Sequence, residues 1–170
     1  MWHEGGLPGN HLREFPEGLP NLGDIVFDAR GIIQLNGQGP MQATHVRFPE
    51  TGNGILINQT ASHIHFLHAT GWNSPDGTRI GSYVVHFENG STETIPIVYG
   101  EHVRDWWAPA EMGGQPEVLW KGHNEATRDD FVHVYKSSWN NPSADQVIKS
   151  IDYHSSMKVS APYLIGITVD

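Results

Sequence analysis

The chain contains no cysteine, which excludes disulfide staples, thiolate nucleophiles and cysteine-ligated metals. It is also short of positive charge: ten Lys and Arg stand against 19 Asp and Glu, a formal net charge of −9. Such a balance offers no broad basic field for phosphate, so nucleic acid and anionic membrane are not expected partners, and acidic polysaccharides are disfavoured for the same reason. No apolar run approaches the roughly 18 residues of a membrane-spanning helix, so membrane insertion is not expected. Long stretches of helical periodicity are missing as well. What is abundant is punctuation: 19 glycines and 11 prolines in 170 residues suit many short elements joined by turns. A chain of this length buries roughly 70% of its unfolded surface and folds as one domain without a staple.

Residues 1–23, with Gly5, Gly6, Pro8, Gly9, Pro16, Gly18, Pro20 and Gly23, read as an extended N-terminal strap. Residues 24–170 read as a single β-sandwich domain. Ile25-Val26-Phe27 and Ile32-Ile33-Gln34-Leu35 are short apolar runs broken by Arg30-Gly31 and Asn36-Gly37, and further strands are expected at 45–48 and 54–57. The longest, 62–72, alternates with period two: Ile64, Phe66 and His68 lie on one face, His63, His65, Leu67 and Ala69 on the other. Apolar groups on both faces predict a central strand. Runs at 80–87 and 92–99 meet through Glu88-Asn89-Gly90-Ser91, predicting a hairpin with a type I′ turn. Pro96 cannot donate to a ladder and predicts an edge strand or a bulge. After a long loop over 100–116, strands are expected at 118–121, 131–139, 147–154 and 162–169. About ten short strands without crossover helices predict an all-β antiparallel sandwich of jelly-roll type.

Several stretches resemble a bacterial β-sandwich module appended to larger extracytoplasmic or regulatory proteins, of galactose-binding-like, carbohydrate-binding-module-like character. They are Phe27-Asp28-Ala29-Arg30-Gly31-Ile32-Ile33-Gln34-Leu35, His65-Phe66-Leu67-His68-Ala69-Thr70-Gly71-Trp72, Gly81-Ser82-Tyr83-Val84-Val85-His86-Phe87, Ile95-Pro96-Ile97-Val98-Tyr99-Gly100 and Arg104-Asp105-Trp106-Trp107. The resemblance spans residues 24–170. It implies a non-catalytic sandwich, a sugar ligand, an extracellular or extracytoplasmic setting and neighbouring domains in a larger protein. The opening residues carry neither the basic start nor the apolar stretch of a secretory signal. A cytoplasmic chain and a chain trimmed from an exported protein both remain open.

Four residue groups bear on function. Arg104-Asp105-Trp106-Trp107 falls in the long loop after an edge strand, where indole faces can stack on the C–H faces of a sugar while carboxylate and guanidinium take its hydroxyls. Trp72, with Asn73 and Asp76, and Trp139, with Asn140 and Asn141, are candidate additions to this carbohydrate or polyol site. The alternative is that the tryptophans anchor the loop and the Asp and Arg tie its backbone. His63 and His65 share a strand face and, with His86 or His133, would form a transition-metal site in a jelly-roll enzyme acting on a sugar-like substrate. The simpler reading is packed histidines with one hydrogen bond each.

Asn73-Ser74-Pro75-Asp76-Gly77 and Asn140-Asn141-Pro142 offer oxygens for a structural Ca²⁺, although turn chemistry explains both. Glycoside hydrolysis would need two carboxylates about 5–9.5 Å apart; the pairs considered are Glu101 with Asp105, one helical turn apart if residues 100–107 coil, and Asp129 with Asp130, which would diverge on a strand. No nucleophile elbow, phosphate-binding loop or zinc-protease helix is present in the sequence. The balance is against an enzyme, with a protein-interaction module of a larger receptor or regulator as a third reading. Protonating all eleven histidines would carry the net charge from −9 to about +2, so pH-dependent behaviour below about pH 6 is expected.

Overall fold

The computed structural model describes residues 8–43, 45–108, 115–127 and 130–170. Among the described residues the short apolar runs form twelve strands: β1 (Asn21–Leu22), β2 (Ile25–Val26), β3 (Ile33–Gln34), β4 (Thr51–Gln59), β5 (His63–Gly71), β6 (Arg79–Phe87), β7 (Thr92–Val98), β8 (Trp107–Ala108), β9 (Glu117–Gly122), β10 (Phe131–Asn140), β11 (Ile148–Ser155) and β12 (Ala161–Val169). One short helix, α1 (Gln38–Ala43), lies between β3 and β4. The paired strands are antiparallel. They make a small β1–β2 ribbon and two large sheets. One sheet runs β4-β11-β6-β7; the other runs β3-β12-β5-β10-β8, with β9 also on β10. The chain is an all-β sandwich.

Period-two alternation explains the core. Phe66 of β5 stacks on Tyr83 of β6 across the two sheets, ring centroids 3.9 Å apart and planes nearly parallel, and Tyr83 stacks on Tyr153 of β11 at 4.9 Å. Val85, Ile97 and Ile151 are buried beside this column. β5 is central, with β12 and β10 on its two sides, and its second face is buried because residues 9–29 cross over it. Phe27 closes on Gly166 of β12, Phe15 packs edge-on against Trp120 of β9 at 5.1 Å, and the Thr168 hydroxyl donates to the Val26 carbonyl at 2.7 Å. The glycine-rich N-terminal segment thus brings its own apolar residues, with Leu12, Phe15 and Phe27 buried.

Two local expectations are corrected. The 45–48 run is irregular; His45 has φ +56° and Pro49 follows, so the backbone cannot extend a ladder there. The hairpin at 88–91 stands, but only Gly90 has positive φ (+87°). The Gly90 N–H donates to the Phe87 carbonyl and the Phe87 N–H to the Ser91 carbonyl, both at 3.0 Å. That pattern is a turn closed by a glycine bulge, not a two-residue type I′ turn. The structure also adds α1, in a stretch for which the sequence predicts no element; Pro40 sits in its first turn, where a missing N–H costs nothing. Its place is set from outside: the Trp72 ring lies so close over Gly39 that a Cβ would fall 2.5 Å from it.

Both exposed edges carry protection. β7 holds Pro96 and Glu93. In β4, two residues oppose one of β11 at two places, leaving bulges that contain Gly54 and Asn58, whose φ values are positive. Such bulges spoil the edge as a template for another strand.

Candidate functional site

The end of the sandwich at which β5 finishes and β7 exits gathers most of the sequence candidates. There β5 and β10 separate, and residues 104–107 wedge between them. The Thr70 N–H donates to the Arg104 carbonyl (3.4 Å), the Trp106 N–H to the Thr70 carbonyl (2.8 Å), and the His133 N–H to the Trp106 carbonyl (2.7 Å). β8 then continues on β10. This bridging position takes Arg104, Asp105, Trp106 and Trp107 out of a free loop and makes them part of the sheet.

The polar side chains of the group are all partnered. Arg104 grips Asp76 through two parallel bonds of 2.8 Å and lies over the Tyr99 ring at 5.7 Å. That contact holds the Asp76 carboxyl below its ordinary range, through the hydrogen bonds first. Asn73 accepts the Tyr99 hydroxyl proton at 2.6 Å, and the same hydroxyl accepts the Asp105 N–H at 3.3 Å. The Asp105 carboxylate receives the N–H of Trp107 at 3.0 Å and that of Trp72. Burial nevertheless pushes its pKa up to about 6, because two amide dipoles do not replace the lost hydration. The Tyr135 hydroxyl donates to the Asp105 carbonyl at 3.0 Å. The buried Tyr163 hydroxyl has no hydrogen-bond partner among the described residues.

The indoles divide differently. Trp72, Trp106 and Trp107 are each partly exposed at this end. Trp106 meets Tyr163 edge-on at 6.0 Å and Trp107 nearly parallel at 6.5 Å, and the Trp107 indole N–H donates to Asn10 at 3.1 Å. Trp139 is not brought here. It pairs with Ile64 at the start of β5, about 26 Å along the strand from Trp72 at roughly 3.3 Å per residue.

The histidine set does not converge. His63 and His65 share the face opposite His68, and Asp170 at the end of β12 takes both: His63 Nδ1 at 2.7 Å and His65 Nε2 at 3.4 Å, while His65 Nδ1 bonds Ser138 at 2.7 Å. His86 lies in the other sheet against Asp152 at 2.8 Å. His133 sits on the opposite face of the β5–β10 pair, far along β10. Neither completes a ligand set with His63 and His65, and among the described residues no three His, Asp or Glu side chains are grouped to hold a metal ion.

The oxygens considered for Ca²⁺ serve as turn ties. Asn141 Oδ1 accepts the Ser143 N–H at 2.9 Å and its amide donates to the Ala61 carbonyl at 2.8 Å. Of the paired carboxylates, Asp129 lies outside the described residues. Glu101 points to His102 and Asp105 to backbone amides.

Two histidines that the spacing left without a role prove structural. His68 is buried with both ring nitrogens on hydroxyls, Tyr83 at 3.0 Å and Ser137 at 2.9 Å; burial lowers its pKa to about 3. His102 accepts the Val98 N–H. Neither partnership has a signal in the sequence beyond the face on which His68 falls.

No protein-family model matches the chain, and no curated protein is similar to it.

Proposed function

We propose that the chain is a non-catalytic, galactose-binding-like module that takes a neutral carbohydrate or related polyol at the end of the sandwich formed by residues 72–78 and 99–108. One observation supports the reading most: three partly exposed indoles, Trp72, Trp106 and Trp107, stand on backbone fixed by the Asp76–Arg104 and Asn73–Tyr99 bonds. A ring already held in place loses little freedom when a sugar ring stacks on it.

The polar groups fit the same ligand class. Asn73 gives its oxygen to Tyr99, leaving amide N–H donors for hydroxyls. Arg104 spends two of its five N–H groups on Asp76. With Asp76 neutralised by Arg104 and the whole chain acidic, an uncharged ligand is preferred to an anionic one.

Isothermal titration against neutral mono- and oligosaccharides and polyols tests the proposal. Heat is expected for at least one ligand, weakened about tenfold by Trp106→Ala, the loss of one stacked ring being worth about 1.4 kcal/mol. A circular-dichroism melt checks that this variant still folds, and Asn73→Ala supplies a substitution outside the packed rings. Silence across the panel at millimolar ligand overturns the reading.

A further inference from the structure

We propose that His102 is an acid-sensitive latch on residues 98–104, the segment that leads into the candidate site, holding it closed only while its imidazole is neutral. The argument begins with hydrogen-bond direction. His102 Nδ1 accepts the Val98 N–H at 2.9 Å, so the neutral ring carries its proton on Nε2. A protonated ring has N–H at both positions and cannot accept.

Acid therefore sets donor against donor at that contact and leaves the Val98 N–H unmatched, since β7 is the sheet edge with β6 as its one neighbour. The same turn is closed by the His102 N–H on the Val98 carbonyl at 2.9 Å and the Gly100 N–H on the Val103 carbonyl at 2.8 Å. It delivers Val103, wholly buried, and then Arg104 to their places.

Glu101, with its carboxylate 3.8 Å from Nε2, is the titratable group that favours the proton, while His68 of β5, kept neutral by its own burial, sets no charge against it. Burial outweighs Glu101 and moves the His102 titration below the usual 6.5. The switch point accordingly lies on the acid side of an ordinary histidine, and ligand release in acid follows where the proposed site is the one occupied, a consequence that rests on the carbohydrate reading.

The test is amide exchange by NMR on the ligand-free chain at pH 7.5 and pH 4.5, corrected for intrinsic rates, with Val85 as the core reference. The Val98 amide is expected to lose at least about tenfold in protection relative to Val85 at pH 4.5. In His102→Asn, whose Oδ1 replaces Nδ1 as an acceptor that does not titrate, that loss should vanish, whereas Asp105→Asn should keep it. Unchanged Val98 protection at pH 4.5, or an equal loss in His102→Asn, overturns the latch. Because no ligand is present, a glycan panel that gives no heat removes the binding proposal and leaves this result to stand or fall alone.

Discussion

Replacing His68 by Gln should remove a large part of the acid sensitivity of this fold, and the size follows from where the ring sits. His68 is buried between the Tyr83 and Ser137 hydroxyls, which bond a neutral imidazole well but do not hydrate a cation. Its pKa falls from 6.5 to about 3. Below pH 6.5 the unfolded chain takes up a proton that the folded chain refuses, so stability is complete above that value and declines as pH falls toward 3. Between pH 7 and pH 4.5 the loss from this group alone is about 2.5 kcal/mol, at 1.36 kcal/mol per pKa unit. Asp105 works in the opposite sense. Its pKa is raised from 3.8 to about 6, so the folded chain binds the proton first, and stability gains about 1.9 kcal/mol over the same interval. The wild type therefore hides most of each effect. Urea unfolding of wild type, His68→Gln and Asp105→Asn at both pH values separates them. Relative to wild type, the change in ΔG from pH 7 to pH 4.5 should be about 2.5 kcal/mol more favourable in His68→Gln and about 1.9 kcal/mol less favourable in Asp105→Asn. An unchanged pH dependence in His68→Gln would refute the claim that the sandwich holds this ring neutral.

Other substitutions probe the packing. Phe66→Ala, at a ring with no exposed surface stacked 3.9 Å from Tyr83, should cost roughly 3–5 kcal/mol by urea denaturation; a loss under about 1 kcal/mol would mean the two sheets are not joined there. Gly39→Ala drives a methyl to 2.5 Å from the Trp72 ring, so a loss of roughly 1–3 kcal/mol and a changed tryptophan emission are expected. Gly90→Ala meets no neighbour within 4 Å but must hold φ +87°, and its thermal midpoint should fall by the equivalent of about 1 kcal/mol.

How far the sequence carries the fold can be seen residue by residue. β5 was legible because its alternation is local: Ile64, Phe66 and His68 fall on one face whatever the rest of the chain does. Pro96 marks an edge strand for an equally local reason, its missing N–H. What escapes is decided at long range. α1 depends on Trp72 closing over Gly39, and the partner of His63 is Asp170, 107 residues away. The same holds at the candidate site. The Arg104-Asp105-Trp106-Trp107 motif announces aromatic and charged groups together, but the pairing of Arg104 with Asp76 and the insertion of Trp106 between Thr70 and His133 arise only when β5 and β10 part. The split of the β5 histidines was legible for the same reason as its apolar faces, alternation sending His68 to the core and His63 and His65 to the opposite face.

The saturation of the polar groups narrows what the site can do. An unpaired carboxylate with an elevated pKa, such as Asp105 would be in a cleft, is the usual mark of an acid catalyst. Here its oxygens face the Trp72 and Trp107 N–H groups, so a proton transferred to a bound ligand would have to leave a site whose bonds already hold two strands together. The proposed recognition would therefore draw on ring faces and spare N–H donors rather than on this carboxylate. Trp106→Ala and Asp105→Asn should accordingly act on different quantities: the first on affinity with the pH dependence of stability unchanged, the second on that pH dependence with the stacking surface retained. If Asp105→Asn abolished binding while leaving Trp106 emission and stability at pH 7 as in the wild type, the carboxylate would belong to the ligand rather than to the wedge, and the division argued from these hydrogen bonds would be wrong.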